Sequence, residues 1–91
     1  MTLNTLKKRN NILVTGSSKG IGLAIAKHFA EDYNVYISGR YKDKLSKLCD
    51  ENNFAGWVDV DFFKDNAVEE LFSKLNVDID ILINNAGIYF Y

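Results

Sequence analysis

The run Thr15-Gly16-Ser17-Ser18-Lys19-Gly20-Ile21-Gly22 has the residue types and spacing to hold an anionic group. Gly16 can adopt backbone angles closed to other residues and so turn the chain sharply. Gly20 and Gly22 leave no side chain between the backbone and a pyrophosphate, or between helix and sheet. A helix starting here offers unpaired N–H groups and the positive end of its dipole. Ser17 and Ser18 add hydroxyl donors. Glycines alone also suit a plain tight strand-to-helix turn. The strand pattern before the run and the amphipathic pattern after it favour phosphate binding. The spacing G-x-x-x-G-x-G differs from G-x-G-x-x-G. It is not a P-loop either, because Gly20 follows Lys19 where Ser or Thr is needed.

A second group of residues bears on which nucleotide such a loop would take. An NAD site places a carboxylate at the end of the second strand, about 20 residues beyond the loop, to hold the ribose 2′-hydroxyl. The corresponding stretch, Tyr36-Ile37-Ser38-Gly39-Arg40, contains no acid. Asp32 comes before that strand and Asp43 after it. Arg40 offers a planar, permanently charged fork suited to a 2′-phosphate. Lys19 adds a second positive charge from the loop, and Ser38 can donate a hydrogen bond. These residues read as a preference for NADP (NADPH) over NAD. The plainer alternative makes Arg40 and Lys19 solvated surface charges.

The elements that must position these groups follow from an alternating pattern. Apolar, strand-like runs span Asn11 to Thr15, Asn34 to Ser38, Ala55 to Val60 and Asp80 to Asn84. Helical periods span Gly20 to Asp32, Asp43 to Asn52 and Asn66 to Leu75. In the first helix Ile21, Ala24, Ile25, His28 and Phe29 are expected on one stripe. Leu45, Leu48 and Cys49 share a face of the second, and Val68, Leu71, Phe72 and Leu75 a face of the third. The order β-α-β-α-β-α-β implies an α/β fold with a parallel, doubly wound sheet. Right-handed crossovers make the strand order 3-2-1-4. Ligands of such sheets bind beyond the carboxyl ends of the strands, where the order reverses.

Composition bounds the remaining classes. A chain of 91 residues allows one small domain. A net charge of -1 argues against a nucleic-acid binder, which would be basic. Lys7, Lys8 and Arg9 are too few for a nucleic-acid arm. Cys49 is the sole cysteine, so no internal disulfide or cysteine-based zinc cluster can form. No metal site is expected. No apolar run approaches the ~20 residues needed to cross a membrane. Residues 1–10 are polar, lack a signal-peptide core and read as a flexible lead-in, so the expected compartment is cytoplasmic. Trp57, Phe62 and Phe63 are expected to cover the sheet, Cys49 to be a small buried hydrophobe, and His28 to be a surface or partly packed residue.

Three motifs, taken together, resemble the N-terminal part of the short-chain dehydrogenase/reductase family. Thr15 to Gly22 is similar to that family's cofactor loop, TGxxxGxG. Asp59-Val60 is similar to its Asp-Val pair after the third strand, and Asp80 to Gly87 (DILINNAG) to its NNAG motif. The resemblance implies a Rossmann-type sheet over residues 11–91 and a nicotinamide dinucleotide as ligand. It implies that Gly16, Ser18, Lys19 and Ile21 line the phosphates and adenosine ribose, and that Arg40 reads the 2′-phosphate. It implies that Asp59 accepts from the adenine amino group beside the Val60 backbone. Asn85, Ala86 and Gly87 would pass beside the ribose, with Asn85 also bracing the sheet. The tone is that of bacterial β-ketoacyl carrier protein and acetoacetyl-CoA reductases.

The family's catalytic tyrosine carries a lysine four residues later. Here Tyr33, Tyr36 and Tyr41 are followed at that distance by Ile37, Arg40 and Leu45, and Tyr89 and Tyr91 stand at the end. The resemblance therefore implies a cofactor-binding fragment cut after the fourth strand, inactive alone and with no catalytic residue of its own. Two other arrangements fit the same residues. One is a stand-alone nucleotide-binding module. The other is half of a split reductase, or a homo-oligomer, whose fourth-strand edge, Ile81 to Ile83, takes a partner.

Overall fold

The computed structural model describes residues 9–85. Four strands, β1 (Asn11–Val14), β2 (Asn34–Gly39), β3 (Gly56–Asp59) and β4 (Ile81–Ile83), alternate with three helices. These are α1 (Gly20–Phe29), α2 (Lys42–Asn52) and α3 (Ala67–Lys74). The strands form one sheet in the order β3-β2-β1-β4, and every pair is parallel. Ile12 pairs with Val35 on one side and Ile81 on the other, so β1 is an inner strand, as is β2 between β1 and β3. Among the described residues no helix is long and apolar enough to cross a membrane.

Side chains on a strand alternate between faces, and β1 shows what that alternation does. Ile12 and Val14 join a core with Ala26, Val35, Ile37, Leu45 and Phe54, under α1 and α2. Leu13 points the other way, into a core with Val58, Val60, Ala67, Leu71 and Leu75, under α3. One short strand thus seeds both layers. Two helices cover one face and one covers the other, as right-handed crossovers in this strand order require.

The amino-terminal edge of the sheet is tied by one residue. The Asn11 N–H donates to the Asp80 carboxylate at 2.8 Å, and its side-chain amide donates to the Asp78 carbonyl at 2.8 Å. Its side-chain oxygen accepts from Asn34 at 3.1 Å. Asn11 therefore links β1 to the segments entering β2 and β4.

The helix faces match the expected stripes in part: Leu45, Leu48 and Cys49 of α2 pack on the first core, as do Ile25 and Phe29 of α1. In α1 the buried residues are Gly22 and Ala26, whereas Ile21 is 68% exposed, and Ala24 and His28 are exposed too. The helix turns its small residues to the sheet, which lets its backbone come close and rotates Ile21 outward. In α3, Ala67, Leu71 and Leu75 are buried, but Val68 and Phe72 are exposed. Of the aromatics expected over the sheet, Phe62 packs on the second core, while Trp57 and Phe63 are exposed. On β4, Ile81 and Leu82 are exposed as expected of an edge, and Ile83 packs against the first core.

Helix α2 ends where Asn53 takes a left-handed conformation (φ 59) and the Phe54 N–H reaches back to the Cys49 carbonyl at 3.1 Å. Asparagine is among the few residues that tolerate this geometry. Cys49 is half-buried on the same helix rather than fully enclosed. Burial, with a smaller push from Asp50, raises its thiol from 9.0 to about 11. The folded chain therefore holds this proton more tightly than the unfolded chain. That contribution to stability is complete below pH 9.0 and is lost as pH rises through about 11. Urea unfolding should show a steeper alkaline loss of stability in the wild-type chain than in Cys49→Ala. Identical alkaline slopes would contradict this.

Candidate functional site

The carboxyl end of β1 is held by a network of short polar contacts. The Thr15 N–H donates to the Ile83 carbonyl at 3.0 Å. Gly16 then turns the chain with φ 62. Ser17 is completely buried, and its hydroxyl donates to the Val14 carbonyl at 2.6 Å while accepting from the Ser38 N–H at 3.0 Å. The Ser38 hydroxyl, equally buried, accepts from the Gly16 N–H at 3.1 Å. These hydroxyls satisfy backbone groups that the turn would otherwise leave unpaired between β1 and β2.

Asn85 closes the other side. Its N–H donates to Thr15 Oγ1 at 2.9 Å, and its side-chain amide donates to the Gly16 carbonyl at 3.0 Å. Helix α1 docks against this joint through Gly22. A Cβ there would collide with the Gly16 carbonyl oxygen and lie 2.6 Å from the Asn85 amide nitrogen. Gly20 is different. It needs its glycine for its backbone (φ 61), but a Cβ would meet no atom within 4 Å. Its open side faces a cleft.

That cleft has a volume of about 600 Å³ and lies at the carboxyl ends of the strands. The β1–α1 loop contributes Gly16, Ser18, Lys19, Gly20 and Ile21. The β2–α2 turn contributes Gly39, Arg40 and Tyr41, and the β3–α3 loop contributes Val60, Asp61, Phe62 and Phe63. Asn85 completes the lining. The amino end of α1 opens on this space with no side-chain cap and no acid in its first turn. Its dipole is therefore unopposed by a resident carboxylate, a setting that favours a bound anion. Lys19 and Arg40 stand exposed at the rim, and neither takes part in an ion pair within 4.0 Å of an acid among the described residues.

The structure thus brings together Gly16, Ser18, Lys19, Gly20, Ile21, Arg40, Val60 and Asn85. Ser17, Gly22 and Ser38 do not reach the cleft; they build the joint beneath it. Asp59, expected to meet an adenine amino group, is also off the lining. Lys74 holds it, with Nζ 2.8 Å from its carbonyl oxygen and 3.2 Å from its carboxylate. The same ammonium lies 3.3 Å from Glu70. Burial works against this ammonium, but the two carboxylates win and push the Lys74 pKa up. Ala86 and Gly87 lie outside the described residues. The sequence reading missed Gly39, Tyr41, Asp61, Phe62 and Phe63. Their signal was adjacency: Tyr41 follows Arg40, and Asp61 to Phe63 follow Asp59-Val60.

Residues 10–90 match the family model for short chain dehydrogenase. The chain belongs to the short chain dehydrogenase family. It is 38% identical over 84 residues to the NADP-dependent 3-hydroxy acid dehydrogenase YdfG of Salmonella typhi, a match covering 85% of this chain and 33% of that protein. Among solved structures, a short chain dehydrogenase/reductase family protein superposes with a TM-score of 0.77 at 34% identity, covering 90% of this chain and 35% of the other. L-sorbose reductase from Gluconobacter frateurii, solved with NADPH and L-sorbose, superposes with a TM-score of 0.73 at 31% identity, covering 88% of this chain and 34% of that one. The chain thus spans about a third of the length of these relatives. The matched region carries the strand order and glycine loop described above.

The two loop glycines make a discriminating pair. Gly22→Ala forces a Cβ against the Gly16 carbonyl at the joint and should cost about 3 kcal/mol. Gly20→Ala meets only its own positive φ and should cost about 1 kcal/mol. Urea midpoints of the two variants should rank in that order; the reverse rank would contradict the joint.

Proposed function

We propose that this chain forms the NADP(H)-binding portion of an oxidoreductase. The observation that carries the proposal is the rim of the cleft. Two positive side chains, Lys19 and Arg40, stand there beside an uncapped helix end. No acid stands in the stretch Tyr36 to Arg40 at the end of β2, where a 2′-hydroxyl reader would stand.

The residues present suit such a ligand. Gly20 leaves its side of the loop open, so a diphosphate can approach the amino end of α1 closely. Ser18 supplies a hydroxyl, and the loop backbone at Gly16 and Ile21 follows the adenosine ribose and phosphates. Arg40, with Lys19 nearby, grips the 2′-phosphate by charge-assisted hydrogen bonds. The Val60 backbone meets the adenine edge. The Asp59 carboxylate accepts from Lys74 through one oxygen and keeps the other for the adenine amino group. Asn85 passes the ribose. When bound, the nicotinamide supplies or accepts a hydride. What the chain's own residues do is bind, orient and select by charge. Reduction of a carbonyl substrate is the activity we assign to a protein of the relatives' full length.

Titration of the chain with NADPH and NADH tests this. The expected result is tighter binding of NADPH by about tenfold, shrinking as salt screens the phosphate contacts. Arg40→Ala should abolish the preference. Equal affinities would overturn the NADP assignment, and binding of neither would overturn the cleft assignment.

A further inference from the structure

Arg40 does not hang free at the cleft rim. Its Nη2 donates to the Tyr41 hydroxyl at 2.9 Å, and its guanidinium carbon lies 5.4 Å from the centre of the Tyr41 ring. The tyrosine therefore holds its neighbour in two ways, through an acceptor oxygen and through a ring face that attracts cations. Tyr41 is itself anchored. It is the last residue before α2, in extended backbone, and its carbonyl accepts from the Leu45 N–H at 3.1 Å. Leu45 is completely buried in the first core. The tyrosine side chain stays 65% exposed and lines the cleft beside the arginine.

This arrangement has a physical consequence. A loop arginine loses much rotamer freedom when it grips a phosphate. A contact that restricts the arginine beforehand removes part of that loss from binding. The bond to Tyr41 occupies one edge of the guanidinium and leaves most of its donors available to an anion. Neither contact to Tyr41 neutralises the charge, as a carboxylate partner would.

We infer that Tyr41 is a positioning residue that sets selectivity for 2′-phosphorylated adenine nucleotides by holding Arg40 at the cleft rim. The inference rests on the NADP-binding assignment above. It separates two contributions: the hydroxyl fixes the direction of the guanidinium, and the ring fixes its height. Tyr41→Phe removes the first alone, and Tyr41→Ala removes both. Neither touches the core, so both variants should keep the wild-type circular dichroism spectrum.

The test measures dissociation constants for adenosine 2′,5′-bisphosphate and for 5′-AMP, which differ by the 2′-phosphate. The wild-type chain should prefer the bisphosphate. Tyr41→Phe should lower that preference roughly threefold to tenfold with 5′-AMP affinity unchanged, as expected for one lost hydrogen bond of ordinary net strength. Tyr41→Ala should lower it further, and Arg40→Ala should abolish it. An undiminished preference in both tyrosine variants, with Arg40→Ala still abolishing it, overturns the inference and leaves the NADP assignment standing. Parallel loss of both ligands in Tyr41→Phe marks a general packing role and also overturns it. A wild-type chain that shows no preference, or binds neither ligand, overturns the NADP assignment and the inference with it.

Discussion

Everything at the carboxyl end of this sheet depends on the contact between Gly22 and the Gly16 carbonyl. The side-chain amide of Asn85 bonds to that same carbonyl at 3.0 Å. No side chain fits at position 22, because its first carbon would collide with the Gly16 oxygen. Three elements therefore meet at a single peptide group: the turn after β1, the first turn of α1, and the residue that follows β4. The helix is drawn in until its amino end opens on the cleft. With Gly22 facing inward, Ile21 must face outward, which explains its place in the cleft lining. The glycine spacing is the record of this packing constraint.

The molecule divides its work between its ends. At the amino-terminal edge, Asn11 ties β1 to the segments leading into β2 and β4. That cluster fixes the strands. At the carboxyl edge, buried hydroxyls of Ser17 and Ser38 satisfy the backbone of the turn. The polar groups of Ser18, Lys19 and Arg40 line the cleft instead. This division is general to parallel sheets, whose crossovers leave the ligand crevice at the carboxyl ends. It explains how neighbouring serines in one loop come to have different duties. Ser17 lies under the turn, and Ser18 lies on it.

Much of this was legible in the sequence. Strand-like and helix-like periods alternate cleanly, so the element order reads directly, and right-handed crossovers make 3-2-1-4 the natural strand order. The glycine loop, Arg40 and Asn85 stood out because their types are specific to their tasks. Facing directions were harder to read. Of the stripe Ile21, Ala24, Ile25, His28, Phe29 only Ile25 and Phe29 pack on the core, and the fully buried positions of the helix are Gly22 and Ala26. Close approach of two backbones outweighed the burial of larger side chains, and hydrophobic periodicity does not register a glycine as a contact. Side-chain partners far apart in sequence were equally hidden. Lys74 reaches Asp59 only because α3 returns its last turn to the end of β3. Tyr41 was hidden differently: its value lies in the direction of one hydroxyl, which no pattern of residue types encodes.

The central claim is that the carboxyl edge of the sheet, shaped by the Gly16–Gly22–Asn85 joint, is where a dinucleotide binds. Amide chemical shifts of the isotope-labelled chain during addition of NADPH test it most directly. The account predicts shifts concentrated at Gly16, Ser18, Gly20, Arg40 and Val60, with Asn11, Asn34 and Asp80 unmoved at the opposite edge. Shifts centred on the Asn11 cluster, or none at saturating NADPH, would contradict it.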